Sequence, residues 1–205
     1  MNTALKRAFV PLAAPSAPLL ADAPAVIASG ILPKTGEAYT VQWLSTAHIP
    51  ALITLQHIAA DQEIIPRDAT YFGALFANGH AALGVFNQFG MMIGAATIRN
   101  SVGPISTLCA ALETTDQHTT THSIFGTVMT HPDYRGNGLM GRMIDQWMDY
   151  AHACGTVNLH ARLRTTNENS LKNFLRKDFN IVAEGPSPED ATRTVYFVHR
   201  MLAPK

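Results

Sequence analysis

The sequence predicts a mixed α+β fold that forms one domain. Its 205 residues, of which 47% are hydrophobic, are enough to bury a single core. Segments with the alternating pattern of strands are interspersed with segments whose apolar residues recur on one helical face. The clearest junction is a strand that ends at Pro132, a glycine-rich turn, and an amphipathic helix that begins at Leu139. The first half of the chain alone indicates no more than this class.

The N-terminal segment, residues 1–36, is rich in alanine and proline and predicts an extended arm ahead of a single domain at residues 37–205. A secretory signal peptide is the alternative. Three prolines between residues 11 and 18 interrupt the apolar helix that such a signal needs, which favours the arm. The arm would lie over its own domain or over a partner subunit, and the second arrangement would make a homodimer.

The elements of the domain follow from apolar periodicity, helix caps and turn residues. In the first half we predict a strand at 39–44, a helix at 49–59, a helix after Pro66 that ends at Asn78, hairpin strands at 81–86 and 91–98, and a loop or insertion at 100–121. In the second half we predict a strand at 123–129, a helix at 139–154, a strand at 156–163, a helix that begins at Asn167, and strands at 180–183 and 192–201.

Gly136, Gly138 and Gly141 lie where the strand gives way to the helix. Residues without a Cβ let the chain turn tightly and bring its backbone N–H groups close to a ligand. The first turn of a helix also presents N–H groups without intrahelical partners, at the positive end of the helix dipole. Arg135 adds a cation immediately before the turn. The turn is therefore predicted to bind an anion, most simply a diphosphate.

The same glycines match the G-x-G-x-x-G spacing of dinucleotide-binding folds, but they come late in the chain and no β-α-β series precedes them. A P-loop is excluded because no Lys-Ser or Lys-Thr pair follows. The segment instead resembles the acyl-CoA-binding motif of the GNAT superfamily of N-acetyltransferases. The residues at the motif positions are Pro132, Tyr134, Arg135, Gly136 and Gly138. Met140 stands where the motif has a small residue, and Gly141 follows it.

A second segment carries the same resemblance. Asn167 begins a helix after a strand, as in the family, and this helix ends just before Phe179. The tyrosine that is thought to protonate the leaving thiolate in many relatives is Phe174 here, and the usual glycine before the final phenylalanine is Asp178. Aspartate adopts left-handed backbone angles at modest cost, so we expect the turn to persist.

The resemblance implies a three-layer fold in which helices flank a central, mostly antiparallel mixed sheet. It implies direct transfer of an acetyl group from acetyl-CoA to a primary amine of a small molecule or peptide, in a ternary complex. A longer acyl donor stays open. The cofactor-binding groups that it implies are the main chain of Val128, Met129 and Thr130, the turn of Arg135, Gly136, Asn137, Gly138, Leu139, Met140 and Gly141, and the side chain of Asn167. Because Phe174 has no acidic proton, a non-catalytic CoA-binding module is the alternative.

His122 is the candidate general base. It occupies the position of a glutamate in histone-type relatives, and an imidazole titrates near neutral pH. The alternatives are an ordinary histidine at a loop edge and proton transfer through water. A metal site made of Asp116, His118 and His122 is not predicted, because the surrounding threonines are typical of a solvated loop and the chemistry needs no metal.

Asp61, Glu63 and Asp68 are the candidate acceptor-binding residues. They lie between the first two helices, a region that borders the acceptor pocket in the family, and carboxylates attract a cationic amine. A solvated interhelical loop is the alternative. Protein N-termini, lysines, polyamines, aminoglycosides and amino acids all stay open as acceptors.

Composition argues against several other classes of protein. Fifteen basic and fifteen acidic residues leave no net charge and form no basic stripe, so nucleic acid is not a predicted partner. No apolar run reaches the length that crosses a membrane. Two cysteines do not make a disulfide framework, which favours a reducing cytoplasm.

Overall fold

A computed structural model of the protein describes residues 26–60, 64–102 and 121–203. Over these ranges the chain forms eight strands and four α-helices. The strands are β1 (Val26–Ile31), β2 (Ala38–Trp43), β3 (Ala81–Asn87), β4 (Met92–Val102), β5 (Thr121–Thr130), β6 (Asn158–Arg164), β7 (Asn180–Ser187) and β8 (Asp190–Met201). The helices are α1 (Ile49–Ile58), α2 (Ala69–Ala77), α3 (Leu139–Ala153) and α4 (Glu168–Leu175), with 3₁₀ turns at Thr46–His48 and Pro132–Tyr134.

All eight strands form one sheet in the order β1-β2-β3-β4-β5-β6-β8-β7. Every neighbouring pair is antiparallel except β5 and β6, which run parallel and are joined through α3. A parallel pair needs such a crossover connection, whereas the antiparallel pairs β3–β4 and β7–β8 are hairpins with short turns. The prediction of a mixed, mostly antiparallel sheet is confirmed.

The sheet begins inside the segment that was predicted as an arm. Gly30 in β1 lies opposite Tyr39 in β2, and the next residue after β1, Leu32, is fully buried. The sequence of β1 hides this strand because it mixes small and apolar residues without a clear alternation, and its burial varies irregularly along its length. Residues 1–25 of the predicted arm lie outside the described residues.

Helices cover both faces of the sheet. Ala81 and Leu83 in β3 pack in the cluster that contains Trp147 of α3, whereas Ala82 between them packs with Phe72 of α2. Since successive residues of a strand point to opposite faces, α3 and α4 lie on one face and α1 and α2 on the other. This is the three-layer arrangement that the resemblance implies.

The turn residues behave largely as predicted. Gly79 ends α2 with a φ of 71°, and Asp178 follows α4 with a φ of 57°, in the left-handed region expected of it. Helix α4 itself stops at Leu175, before the predicted end at Asp178. Most of the predicted loop at 100–121 falls on residues that the structure does not describe.

No helix in the described ranges is long and apolar enough to cross a membrane.

Candidate functional site

A groove opens where the parallel strands β5 and β6 separate. Their pairing runs from His122 opposite Asn158 to Phe125 opposite Ala161, yet β5 continues for five residues and β6 for three beyond that pair. Strand β5 stays paired with β4 as far as Thr130, so its other edge borders the groove. An extended ligand can pair with such an edge as a further strand would.

The edge of β5 is kinked at the groove. The register against β4 shifts between Ala95 and Thr97, so that β5 has one extra residue where it passes Thr127. Thr127 has a φ of 42°, which is strained for a β-branched residue. A β-bulge of this kind redirects the backbone locally. Gly126, Thr127 and Val128 all line the groove, so the bulge shapes the wall that an extended ligand would contact.

The predicted anion-binding turn is open at the N-terminus of α3. Gly136 and Gly138 have φ values of 77° and 74°, and Gly138 is the N-cap residue. A Cβ added to Gly138 would meet no atom within 4 Å, so the space in front of it is free for a ligand. Met140, in the first turn of the same helix, lines the groove. The turn and the groove therefore adjoin, and both fit a ligand with an anionic end and an extended arm.

Lys34 is a cation at this turn that the sequence analysis missed. It lies between β1 and β2, and its Nζ donates to the carbonyl oxygen of Arg135 at 3.3 Å. A Cβ on Gly136 would overlap this Nζ, which shows how closely Lys34 covers the turn. No local signal could have found it, because 101 residues separate Lys34 from Arg135.

Asn137 holds this arrangement together. Its side chain is only 2% exposed, accepts a hydrogen bond from the Lys34 backbone N–H at 2.9 Å, and donates to the Tyr134 carbonyl at 3.0 Å. These two contacts occupy the Asn137 side chain, so the predicted ligand contact at this position would be made by the main chain. The side chains of Met129 and Leu139 are also buried, so a ligand would contact the main chain at those two positions.

The other predicted cofactor residues lie along the groove or beside the turn. Val128, Met140 and Asn167 line the groove, and Thr130 ends the β5 edge. The Asn167 side chain accepts from the Ser170 N–H at 3.0 Å, so it caps α4 at the groove wall. Gly141 follows Met140 in the first turn of α3.

Phe174, at the position of the usual tyrosine acid, is a core residue at the bottom of the groove. It is 2% exposed and packs edge-on against Phe125 and Phe179, with ring centroids 6.3 and 5.1 Å away. The ring therefore contributes packing here and carries no proton to donate. Tyr71, from α2, also lines the groove and does carry a hydroxyl.

His122 lies away from the groove, at the paired end of β5. It is 2% exposed, and its Nδ1 is 2.9 Å from Nε2 of His160. Burial lowers the pKa of His122, with a smaller contribution from His199. Its role as a base stays a prediction, and this geometry gives it no direct path to a groove-bound amine.

The rings of His122, His160 and His199 lie in a row, with centroids 5.1 and 4.9 Å apart. The pKa of His160 is lowered to about 3, first by burial and then by His199 and His122. His160 is therefore neutral in the folded protein at pH values where an unfolded histidine, with a pKa of about 6.5, takes up a proton. Below about pH 6.5 the unfolded state binds the extra proton, so the free energy of unfolding falls as the pH falls.

We expect the free energy of unfolding to drop between about pH 7.5 and about pH 5, by up to about 1.4 kcal/mol per pH unit for each such histidine below its unfolded pKa. Urea denaturation at the two pH values measures this. His160→Gln should lose less stability over the same range, and His57→Gln, on the exposed side of α1, controls for the substitution. Equal losses in His160→Gln and the wild type would contradict the assignment.

Asp68 is the one predicted acceptor-binding carboxylate that the structure describes, and it does not line the groove. Asp68 is exposed and caps α2, accepting from the Tyr71 N–H at 2.8 Å. Asp61 and Glu63 lie outside the described residues. The neighbouring residue that does line the groove is Arg67, a cation.

The described residues contain no group of three or more His, Cys, Asp and Glu side chains that could hold a metal. The segment with Asp116 and His118 is outside those residues.

No family model matches the sequence, and no curated protein is detectably similar to it. Solved structures do match. The ribosomal-protein-S18-alanine N-acetyltransferase from Escherichia coli has a TM-score of 0.61 at 15% identity, over 82% of this chain and 96% of that one. A GNAT-family acetyltransferase from Streptococcus pneumoniae has a TM-score of 0.60 at 14% identity, over 80% and 99%.

NAA60 from Arabidopsis thaliana, in complex with acetyl-CoA, has a TM-score of 0.67 at 13% identity, over 80% of this chain and 98% of that one. At these identities the likeness concerns the fold, and it extends over nearly the whole of each matched protein. The glycine turn resembles the motif of the GNAT superfamily, and the fold around the turn agrees with that resemblance. The chain has the fold of the GNAT N-acetyltransferases.

Proposed function

We propose that the protein is an N-acetyltransferase that moves an acetyl group from acetyl-CoA to a primary amine. The observation that carries this proposal is the junction of an open, glycine-lined helix N-terminus with a groove between two separating parallel strands. A diphosphate fits the first feature and an extended pantetheine arm fits the second. The likeness to acetyltransferase structures supports the same assignment.

The chain's own groups have distinct roles in this proposal. The N–H groups of the turn at 136–141 bind the diphosphate, with Arg135 and Lys34 as neighbouring cations. The β5 edge orients the arm, and a main-chain N–H of the bulged segment donates to the carbonyl oxygen as negative charge develops there. Acetyl-CoA supplies the activated acyl carbon.

The amine nitrogen bonds to the acyl carbon as the carbon–sulfur bond breaks. A primary ammonium gives up two protons on the way to the amide, of which one ends on the CoA thiol and one in solvent. Since Phe174 has no acidic proton and His122 lies away from the groove, we assign both transfers to water or to the Tyr71 hydroxyl. His122 as the base is the competing proposal.

A CoA-binding module without turnover is the second candidate function, and Phe174 is the residue that favours it. The test is free-thiol release from acetyl-CoA with a panel of primary amines, with the acetylated product identified by mass spectrometry. Amine-dependent thiol release with matching product supports the enzyme. Acetyl-CoA binding without thiol release for any amine supports the module, and no binding at all overturns both.

Lys34→Met should weaken acetyl-CoA binding by about 3- to 10-fold, because it removes one cation beside the diphosphate and leaves the turn and its Asn137 contact to the Lys34 main chain in place. Calorimetry at low and high salt measures this, and the wild-type advantage should shrink as salt screens the charge. Lys172→Met, on the exposed side of α4, is the matched control. An unchanged affinity at low salt would remove Lys34 from the proposed site.

A further inference from the structure

One wall of the groove is rich in arginine. Five arginines and a single carboxylate are among the described residues that line it. The arginines are Arg67, Arg99, Arg162, Arg164 and Arg193, and the carboxylate is Glu189. The chain as a whole has no net charge, so this concentration of cations is local.

Four of these arginines share one face of the sheet. Arg162 and Arg164 alternate along β6 with Ala161 and Leu163, which pack in the core beneath α3, so the two arginines point to the opposite face. Arg99 follows Ile98 of the same core cluster and therefore points the same way. In β8, Val195 lies directly opposite Arg164, which places Arg193, two residues away, on this face as well. The face is the one that carries α1 and α2.

The fifth cation, Arg67, is fixed over this face from the connection between α1 and α2. The buried side chain of Gln56 donates to the Arg67 carbonyl and accepts from its N–H, both at 2.8 Å. Its guanidinium lies over the Tyr71 ring, 4.7 Å from the centroid. Nε of Arg67 is buried and has no hydrogen-bond partner among the described residues. One donor of this charged group is thus unsatisfied.

A carboxylate of the chain itself is bound by two of these arginines in the groove. Glu189, in the turn between β7 and β8, accepts from Arg67 at 2.8 Å through Oε2 and from Arg162 at 3.2 Å through Oε1. Two guanidinium groups therefore converge on a single carboxylate, a geometry that suits planar anions.

Glu189 is shared by Arg67 and Arg162, and Asp190 pairs with Arg193 at 2.7 Å, whereas Arg99 has no ion-pair partner among the described residues. Burial lowers the pKa of Arg162, and repulsion from Arg99 and Arg67 acts in the same direction, while Glu189 opposes it. A second anion in the groove would offset this repulsion. A polyamine or an aminoglycoside would instead add positive charge to the wall.

We propose that the acceptor is a primary amine that carries its own anionic group, of the α-amino acid type, and that the arginine wall binds this group. This inference rests on the proposed acetyltransferase function. The carboxylate is held by guanidinium groups on the face that carries α1 and α2, and this leaves the amine to attack the acyl carbon at the β5 edge. An aminoalkylphosphonate offers the same recognition chemistry through a different acid group.

The test compares acceptors in matched pairs, using thiol release from acetyl-CoA. Each L-amino acid is paired with its primary amide, which replaces the carboxylate by a neutral group of similar size, and the two are compared at equal concentrations of the unprotonated amine. Aminoalkylphosphonates replace the carboxylate by another anion, and spermidine represents cationic acceptors. We expect the best amino acid to exceed its amide by at least about 30-fold in kcat/KM, and spermidine to be the poorest acceptor. Activity with the phosphonate comparable to that with the acid assigns the wall to anions in general, and its absence assigns the wall to carboxylates; either result supports an anionic acceptor.

Variants of Arg99 locate the effect. Arg99→Gln should lower kcat/KM for the amino acid by about 10- to 100-fold, leave the amide unchanged, and leave the KM for acetyl-CoA unchanged. Arg99→Lys retains the charge and should recover part of the loss. Arg176→Gln, exposed beyond the end of α4 and away from the groove, makes the same charge change and is the control. Calorimetry with acetyl-CoA shows that each variant is folded.

The outcomes separate the two proposals. Amides or spermidine accepted as well as the acids would overturn the anionic acceptor and leave the acetyltransferase intact. A rise in the KM for acetyl-CoA in Arg99→Gln, with no change for the acid, would assign the arginines to the donor and overturn the inference in the same way. Acetyl-CoA binding without acetylation of any amine, whatever its charge, would overturn both.

Discussion

Gly138→Trp should lower the affinity for acetyl-CoA by at least about 100-fold. Gly138 is the N-cap of α3, and a side chain added there enters open space in front of the first helical turn. If that space holds the diphosphate, an indole would displace it from the backbone N–H groups and the positive helix end. Calorimetric titration of acetyl-CoA into the wild type and the variant measures the loss.

Backbone strain at Gly138 is a second source of lost affinity, and a control variant separates it from the filling of the turn. Any residue other than glycine is strained at a φ of 74°, by about 1–2 kcal/mol. Gly155, just beyond the other end of α3, has a φ of 67° and equally open surroundings, so Gly155→Trp carries the same strain and bulk. Gly155→Trp should bind acetyl-CoA like the wild type. Equal losses in the two variants would mean that strain, and not occupation of the turn, explains the effect.

Trp147→Ala should lower the free energy of unfolding by about 3–5 kcal/mol. Trp147 is fully buried in α3, stacks on Phe125 of β5 at 4.9 Å and on Phe179 at 5.6 Å, and donates from Nε1 to Ser123 Oγ at 2.8 Å. Truncation removes this packing and leaves a cavity between the helix and the sheet. Urea denaturation at neutral pH measures the change.

Trp147→Phe separates the packing from the hydrogen bond. It keeps most of the ring and removes the donor to Ser123, so it should cost about 1–3 kcal/mol, less than Trp147→Ala. Trp147 fixes α3 against β5. In Trp147→Ala, loss of the ring should therefore also disturb the turn at the start of α3 and weaken acetyl-CoA binding in the fraction that stays folded. A loss below about 1 kcal/mol in Trp147→Ala would contradict the central role of this side chain.

The sequence predicts the parts of the site that are local in the chain. The strand, the glycine turn and α3 are consecutive, and their signals are backbone chemistry at Gly136 and Gly138 and a regular apolar face. Asn167 was likewise found from its place before a helix, which it caps. The fold class followed from the same motifs. A single sequence suffices for these features because the residues that make them are near one another in the chain.

The parts that the sequence does not predict depend on contacts between distant segments. Lys34 reaches the turn only because β1 joins the sheet beside β2, and β1 itself has no clear alternation. The arginine wall is assembled from β4, β6, β8 and the connection between α1 and α2. Each arginine alone resembles an ordinary surface residue.

The acceptor-binding prediction also depended on contacts that the sequence does not reveal. Asp68 suggested a cationic amine because of its place in the chain, but a local hydrogen bond to Tyr71 uses its carboxylate as a helix cap. The adjacent Arg67 is the residue that turns to the groove, held there by Gln56 from another helix. The side chain that faces the groove in this region therefore depends on tertiary contacts, which position in the chain does not reveal.

A crystal structure of the protein grown with acetyl-CoA tests the central claim most directly. The account predicts electron density for the diphosphate within hydrogen-bonding distance of the backbone N–H groups at 136–141. It also predicts that the pantetheine arm lies along the edge of β5 from Gly126 to Thr130, in the opening between β5 and β6. Density for acetyl-CoA elsewhere, with the turn before α3 left empty, would contradict it.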